Sequence, residues 1–230
     1  QLAGGIAHDF NNILCTILGY SQMMVNHDVP DADKHKLTIV AEQARRGASL
    51  VRQVLDFSRQ SVSERTALDL YPFFKEHVKL LRRTISEAVR IELDAQKDEY
   101  WVHADPTQIQ QIITNLVVNA RDAMPVGGEI TIELDALELA PDDPMPCPEM
   151  TPGDWISIRV SDSGEGISEE NQAHIFEPFF TTKNVGDGTG LGLSQVYGLV
   201  KQHEGFIDVE SGEGEGTTFT IWLPRAETSA

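Results

Sequence analysis

The chain is expected to fold as a helical hairpin that pairs with a second copy into a four-helix bundle, followed by an α+β sandwich in which helices cover one face of a mixed sheet. Three observations predict this. Apolar residues recur with helical period alone in the first part of the chain, and from about residue 68 as a mixture of helical and alternating runs. The charge divides at the same place: residues 1–67 carry seven Lys or Arg and seven Asp or Glu, and residues 68–230 carry eleven and twenty-nine, so the whole net charge of −18 falls in the second part. Helices and strands of the second part do not alternate strictly, which argues against a doubly wound parallel sheet.

Residues 1–26 read as one helix, because Leu2, Ile6, Phe10, Ile13, Ile17, Tyr20 and Met24 fall within about 80° of arc at about 100° per residue. Residues 27–33, HDVPDAD, interrupt it with Pro30 and two aspartates able to cap. Leu37, Val40, Ala41, Ala44, Ala48, Val51 and Leu55 then make a second stripe. Two helices with one narrow stripe each cannot enclose a core, so a homodimer is expected. Beyond 68, amphipathic runs at 71–85, 107–124 and 190–203 predict helices, and runs at 91–95, 100–104, 129–139, 155–160, 206–210 and 217–223 predict strands. Residues 140–153, APDDPMPCPEMTPG, hold five prolines and read as a surface excursion without chemistry. The domains expected are thus 1–67 and 68–230.

Composition excludes several classes. No run of 18 apolar residues and no basic-then-apolar leader occurs, so a cytoplasmic location is expected, with no membrane contact by this stretch. Cys15 and Cys147 are too few and too far apart for a disulfide framework or a zinc cage. An acidic second part repels phosphate backbones, so nucleic acid is not an expected partner. Any anion must be held locally.

Four segments have the residue types for such chemistry. His8 lies about 160° from the centre of its helix's apolar stripe, facing solvent, with Asp9 beside it and Asn12 one turn on. In the run 107–124, Gln111, Asn115, Asn119 and Asp122 form a polar stripe whose oxygens suit Mg²⁺, directly or through its waters. Two asparagines four apart are poor choices for a merely solvated helix face. After the strand WISIRV comes SDSGEGIS, where Gly164 and Gly166 allow a tight turn and Asp162 can accept from the exocyclic amine of adenine, which guanine lacks at that edge. A simple Asx-type turn accounts for the same residues. GDGTGLGLS, 186–194, runs straight into a helix and so forms an anion site, though it is neither a Walker loop nor a Rossmann fingerprint. SGEGEGTT, 211–218, carries two glutamates between strands and reads as a hairpin turn with no ligand.

Together, LAGGIAHDFNN, QIQQIITNLVVNARDAM, DSGEGIS, IFEPFFTTK and GTGLGLS resemble, in order and spacing, the motifs of a sensor histidine kinase core over nearly the whole chain. HDFNN with EPFFTTK is similar to the subgroup found in hybrid and nitrogen-regulator-type kinases. The resemblance implies a dimerisation and histidine-phosphotransfer domain at 1–67 and, at 68–230, the GHKL or Bergerat-type ATP-binding domain shared with gyrase, the Hsp90 chaperones and MutL. It implies His8 as phosphoacceptor, Asp9 as the acid that polarises the imidazole, and Asn12 as a residue orienting water for phosphatase action. It implies Asn119 as Mg²⁺ ligand with Asn115 as its neighbour, Asp162 as adenine contact, and Gly164, Gly166, Gly188, Gly190 and Gly192 as phosphate and lid glycines, with Asp122 of the same polar stripe expected beside the cofactor. Lys183 is then expected to reach phosphate. ATP and Mg²⁺ would be the cofactors and a response-regulator receiver domain the partner. The start seven residues ahead of His8 leads to the expectation of an excised core, with any sensor or membrane segment upstream. Two alternatives are a gyrase- or chaperone-type ATPase, which leaves His8, Asp9 and Asn12 without a role, and a non-catalytic dimeric docking scaffold.

Overall fold

The computed structural model describes residues 16, 17, 21, 23, 24, 30, 33–41, 44, 47, 64–95, 99–183 and 189–226. The chain divides into two compact units, residues 1–63 and 64–230. In the first unit every described residue except Pro30 is helical. The N–H groups of Asp33 and Lys34 both donate to the Pro30 carbonyl, at 2.8 and 3.0 Å, so a helix restarts directly from the residue that interrupts the apolar pattern. Ala41 and Ala44 are buried, whereas Ile17, Met23, Met24, Ile39 and Val40 are exposed within the single chain.

The second unit runs β1 (Thr66–Asp69), α1 (Leu70–Thr84), β2 (Val89–Ala95), β3 (Trp101–Ala104), α2 (Pro106–Asp122), β4 (Gly128–Leu139), β5 (Gly153–Asp162), α3 (Glu169–Gln172), α4 (Gly192–Gln202), β6 (Phe206–Gly212) and β7 (Gly216–Pro224). The five-stranded sheet has the order β2-β4-β5-β7-β6. Its β2–β4 pair is parallel and the others antiparallel, which makes it the mixed sheet expected. Strands β1 and β3 form a separate antiparallel ribbon, in which Thr66 faces Ala104 and Ala67 faces His103. Thr66 and Ala67, read above as the end of the first domain, therefore belong to the second unit.

The sheet is two-faced because strand side chains alternate. Ile130, Ile132 and Leu134 of β4, Ile156, Ile158 and Val160 of β5, and Phe219, Ile221 and Leu223 of β7 are buried in one core with Phe74 and Val78 of α1, Ile113 and Leu116 of α2, and Val196 and Val200 of α4. Each such side chain contributes about 1.5–3 kcal/mol on burial. The two helices that follow β1 and β3 start at aspartate caps. Asp69 accepts from Tyr71 N–H at 3.2 Å, and Asp105 accepts from Thr107 and Gln108 N–H at 2.9 and 3.3 Å ahead of Pro106.

The proline-rich excursion is not a detached loop. Cys147 and Met150 are buried with Trp155 and Trp222, with Leu137, Met145 and Phe206 packed around them, so this segment covers two tryptophans on the sheet's other face. The apolar surface there needed a lid, and prolines do not prevent one.

His203, at the C-terminal end of α4, ties two helices together. Its Nδ1 faces the Leu199 carbonyl at 2.8 Å, so Nδ1 carries the proton and Nε2 accepts from the Asp105 N–H at 3.1 Å. Burial holds this imidazole below its ordinary value. Its contribution to stability is thus complete above the ordinary imidazole value and is lost as pH falls through the lowered one. Protonation would set an N–H against the Asp105 N–H. His203→Asn should lower the thermal midpoint at pH 7.5 by a few degrees, at about 2–4 °C per kcal/mol, and flatten its fall toward pH 5.5. An unchanged pH slope in a thermal melt would show that another group, such as buried His77, carries it.

Candidate functional site

The site is built on α2. Asn115, Asn119 and Asp122 lie at helical spacing on one side of it and are half-buried, while Ile109, Ile113, Leu116 and Ala120 face the core. Asn115 Nδ2 donates to the Gly192 carbonyl and to Gln195 Oε1, each at 3.3 Å, which ties α2 to the first turn of α4. Asn119 makes no side-chain hydrogen bond among the described residues. Asp122 is fully engaged: its Oδ1 meets Arg121 Nη2 at 2.5 Å and its Oδ2 meets Lys183 Nζ at 2.6 Å. Burial pushes its carboxyl up, but the hydrogen bonds and charges of Lys183 and Arg121 outweigh this and hold it below the ordinary carboxylate value. Lys183, expected to reach phosphate, pairs with Asp122 in this structure.

At the C-terminal end of α2 sits the turn after β5. Asp162 ends the strand opposite Thr217 of β7 and Ile130 of β4. Its Oδ1 accepts from Gly164 N–H at 2.8 Å, the Asx-type turn anticipated above. A backbone hydrogen bond from Thr217 also reaches the carboxylate, yet burial dominates and raises its pKa. A half-buried acid held this way is more than a turn requires. The two glycines are explained by close packing. A Cβ at Gly164 would lie 2.8 Å from the Ala123 carbonyl, and one at Gly166, whose φ is +73°, would collide with the Gly212 carbonyl. The Glu165 N–H completes the contact by donating to the Ala123 carbonyl at 3.1 Å.

The third part is the start of α4. Its N-cap, Leu191, supplies no side-chain hydrogen bond and the first turn contains no acid, so among the described residues no side chain caps the leading N–H groups, which suit an anion. Gly190, at φ +67°, packs against Phe179, itself at φ +70°, and accepts from the Phe179 N–H at 2.8 Å. Gly192 is less constrained, since a Cβ there would meet only Asn119 Nδ2, at 3.7 Å. His8, Asp9, Asn12 and Gly188 lie outside the described residues.

Along α2 and at its C-terminal end, Asn115 and Asn119 thus border Gly192, Asp122 holds Lys183, and Gly164, bonded to Asp162, lies against Ala123, whereas Gly166 packs on Gly212 and Gly190 on Phe179. Sequence reasoning missed Thr217, which sits in the segment read as a hairpin without a ligand, and Gln195. A groove of about 620 Å³ lined by Ile167, Glu169, Gln172, Ser211 and Glu213 lies beside the same turn, but Gln172 Nε2 is spent on the carbonyls of Ile167 and Ser211. Among the described residues no group of three His, Cys, Asp or Glu is placed to hold a metal, and no helix is long and apolar enough to cross a membrane.

Residues 104–227 match the family described as histidine kinase-, DNA gyrase B- and HSP90-like ATPase, and residues 1–61 match the His kinase A phospho-acceptor domain. The chain is 44% identical over 226 residues to sensor kinase CckA of Brucella abortus (strain 2308), covering 98% of this chain and 24% of that protein. It is 32% identical over 226 residues to sensor histidine kinase ZraS of Escherichia coli (strain K12), covering 97% of this chain and 45% of that one. The chain thus spans less than half the length of these relatives. Among solved structures, full-length ShkA in complex with AMPPNP superposes with a TM-score of 0.74 at 23% identity over 100% of this chain and 46% of that one, a likeness of fold. Histidine kinase ThkA in complex with response regulator protein TrrA superposes with a TM-score of 0.64 at 27% identity, over 98% of this chain and 61% of that one.

Proposed function

Because the chain belongs to the histidine kinases, with a phospho-acceptor domain ahead of an ATPase domain of the kinase, gyrase and HSP90 type, we propose that it binds ATP with Mg²⁺, phosphorylates His8 and passes the phosphoryl group to a response-regulator aspartate. One observation carries the nucleotide half: a half-buried Asp162 carboxylate lies at one end of α2, and the uncapped start of α4 is bonded to Asn115 on the same helix. These groups suit a base amine and phosphates respectively. Asp162 accepts from the exocyclic amine of adenine, and the α4 N–H groups receive phosphate oxygen.

The donor set fits Mg²⁺, which takes few protein oxygens and keeps substrate phosphate and water. Asn119 and the Oδ1 of Asn115 would hold it, whereas both oxygens of Asp122 are already bonded to Arg121 and Lys183. Bound there, the cation supplies charge neutralisation at the transferring phosphoryl group. Lys183 shifts from Asp122 to phosphate only if the nucleotide competes successfully for it.

His8 provides the acceptor. At pH 7 much of an imidazole with pKa about 6.5 is neutral, and its Nε2 lone pair attacks the γ-phosphorus as the bond to the β,γ-bridging oxygen breaks and ADP leaves. Asp9 takes or balances the Nδ1 proton. Phosphohistidine then donates to the receiver aspartate, and Asn12, whose amide does not titrate, orients water for the reverse removal of that phosphate. Dimerisation through the first unit is supported by the exposure of Ile17, Met24 and Val40, members of the apolar stripes, in the single chain. We assign phosphotransfer to the first unit, residues 1–63, and nucleotide binding to the second, 64–230. The phospho-acceptor match at 1–61 weighs against a gyrase-type clamp ATPase and against a docking scaffold alone. Protein labelled from γ-labelled ATP, then mixed with a receiver domain, should lose label to it within minutes. Retention of label with a panel of receivers would contradict the relay.

A further inference from the structure

We propose that Gln195 is a positioning residue for Mg²⁺-dependent nucleotide binding, acting by fixing which atom of Asn115 faces the cation. The inference rests on the reading of this site as one for ATP with Mg²⁺. A side-chain amide has two N–H donors on nitrogen and one acceptor oxygen. Asn115 Nδ2 lies 3.3 Å from the Gly192 carbonyl and 3.3 Å from Gln195 Oε1. The Gly192 carbonyl can only accept, so the nitrogen of Asn115, and not its oxygen, must face α4. Gln195 must then offer its oxygen too, and both donors of Asn115 are used.

What Asn115 has left is Oδ1, an acceptor, and hard cations and their waters bind oxygen. Asn119, one turn further along α2, also borders this first turn of α4, since a Cβ at Gly192 would lie 3.7 Å from its Nδ2. Without the Gln195 acceptor one Asn115 donor loses its partner, and only the bond to the Gly192 carbonyl is left to oppose a turn of the amide that would set an N–H against the cation. Residues that orient a metal-binding side chain are worth about 10–100-fold in metal affinity. Gln195 carries no charge and belongs to none of the glycine segments, so its role is visible only through Asn115.

The test is calorimetric titration of the whole chain with a non-hydrolysable ATP analogue, once in EDTA and once in Mg²⁺, for the wild type, Gln195→Leu and Gln195→Glu. Gln195→Leu should lose about tenfold of the affinity gained from Mg²⁺ while its affinity in EDTA stays at the wild-type value. Gln195→Glu, which only accepts, should keep the gain. The proposal is overturned if the leucine variant keeps the wild-type gain, if its affinity falls equally in EDTA, or if the glutamate variant behaves like the leucine one. A wild-type chain that binds nucleotide without any gain from Mg²⁺, or binds none, would overturn the underlying reading of the site and this proposal with it.

Discussion

Asp162→Asn is expected to weaken ATP binding on the order of 100-fold while leaving the fold intact. The amide retains an oxygen for the Gly164 N–H, which Asp162 Oδ1 now accepts at 2.8 Å, so the turn survives. On its ligand side, however, an NH₂ can replace an acceptor and meet the exocyclic amine of adenine donor to donor. Losing a charged hydrogen bond and stranding a buried donor costs about 2–3 kcal/mol, which is the stated factor. Stability should hold or rise slightly, because burial already opposes the Asp162 charge and a neutral amide escapes that cost. Calorimetry would check the affinity and a thermal melt the fold. Unchanged affinity would mean that the base is read by another group.

His8→Gln is expected to abolish labelling from ATP, by at least two orders of magnitude, with nucleotide affinity unchanged. The proposed acceptor and the proposed nucleotide site fall in different units, 1–63 and 64–230, so the substitution alters no residue of the unit that holds Asn115, Asp162 and the start of α4. Gln has no nucleophilic lone pair of comparable basicity. Its neighbours should divide the activities. Asp9→Asn removes the charge that supports the developing imidazolium and should cut labelling, while Asn12→Ala should keep most labelling and lose most dephosphorylation of a phosphorylated receiver. Equal losses of both activities in Asn12→Ala would assign the amide to helix or docking geometry.

Much of this fold was legible because its helices and central strands are long and periodic. The runs 107–124 and 190–203 anticipate α2 and α4 closely, and the alternation of Ile130, Ile132 and Leu134 marks the inner face of β4. Strand β1, TALD, is four residues with an exposed first half, and α3, EENQ, is a single turn without a buried residue, so neither carries a periodic signal. The five prolines of 140–153 argued for exclusion from the core, but Trp155 and Trp222 needed cover that only the folded sheet reveals.

The site follows the same division. Asp162 at a strand end beside two glycines, and two asparagines four apart on α2, announce themselves locally. Thr217 reaches Asp162 only through strand pairing, Gln195 reaches Asn115 only through helix packing, and Asp122 captures Lys183 across 61 residues of sequence. A periodicity cannot report a contact between two elements, nor can it tell a lysine waiting for phosphate from one already paired.

The central claim is that the γ-phosphoryl group of ATP comes to rest on the imidazole of His8. Its most direct test is to incubate the wild-type chain with γ-labelled ATP and Mg²⁺ and to measure the survival of protein-bound label in acid and in alkali. Phosphohistidine should be lost in acid and kept in alkali, and the His8→Gln chain should carry none. Label that withstands acid, or label remaining on the His8→Gln chain, would contradict the account.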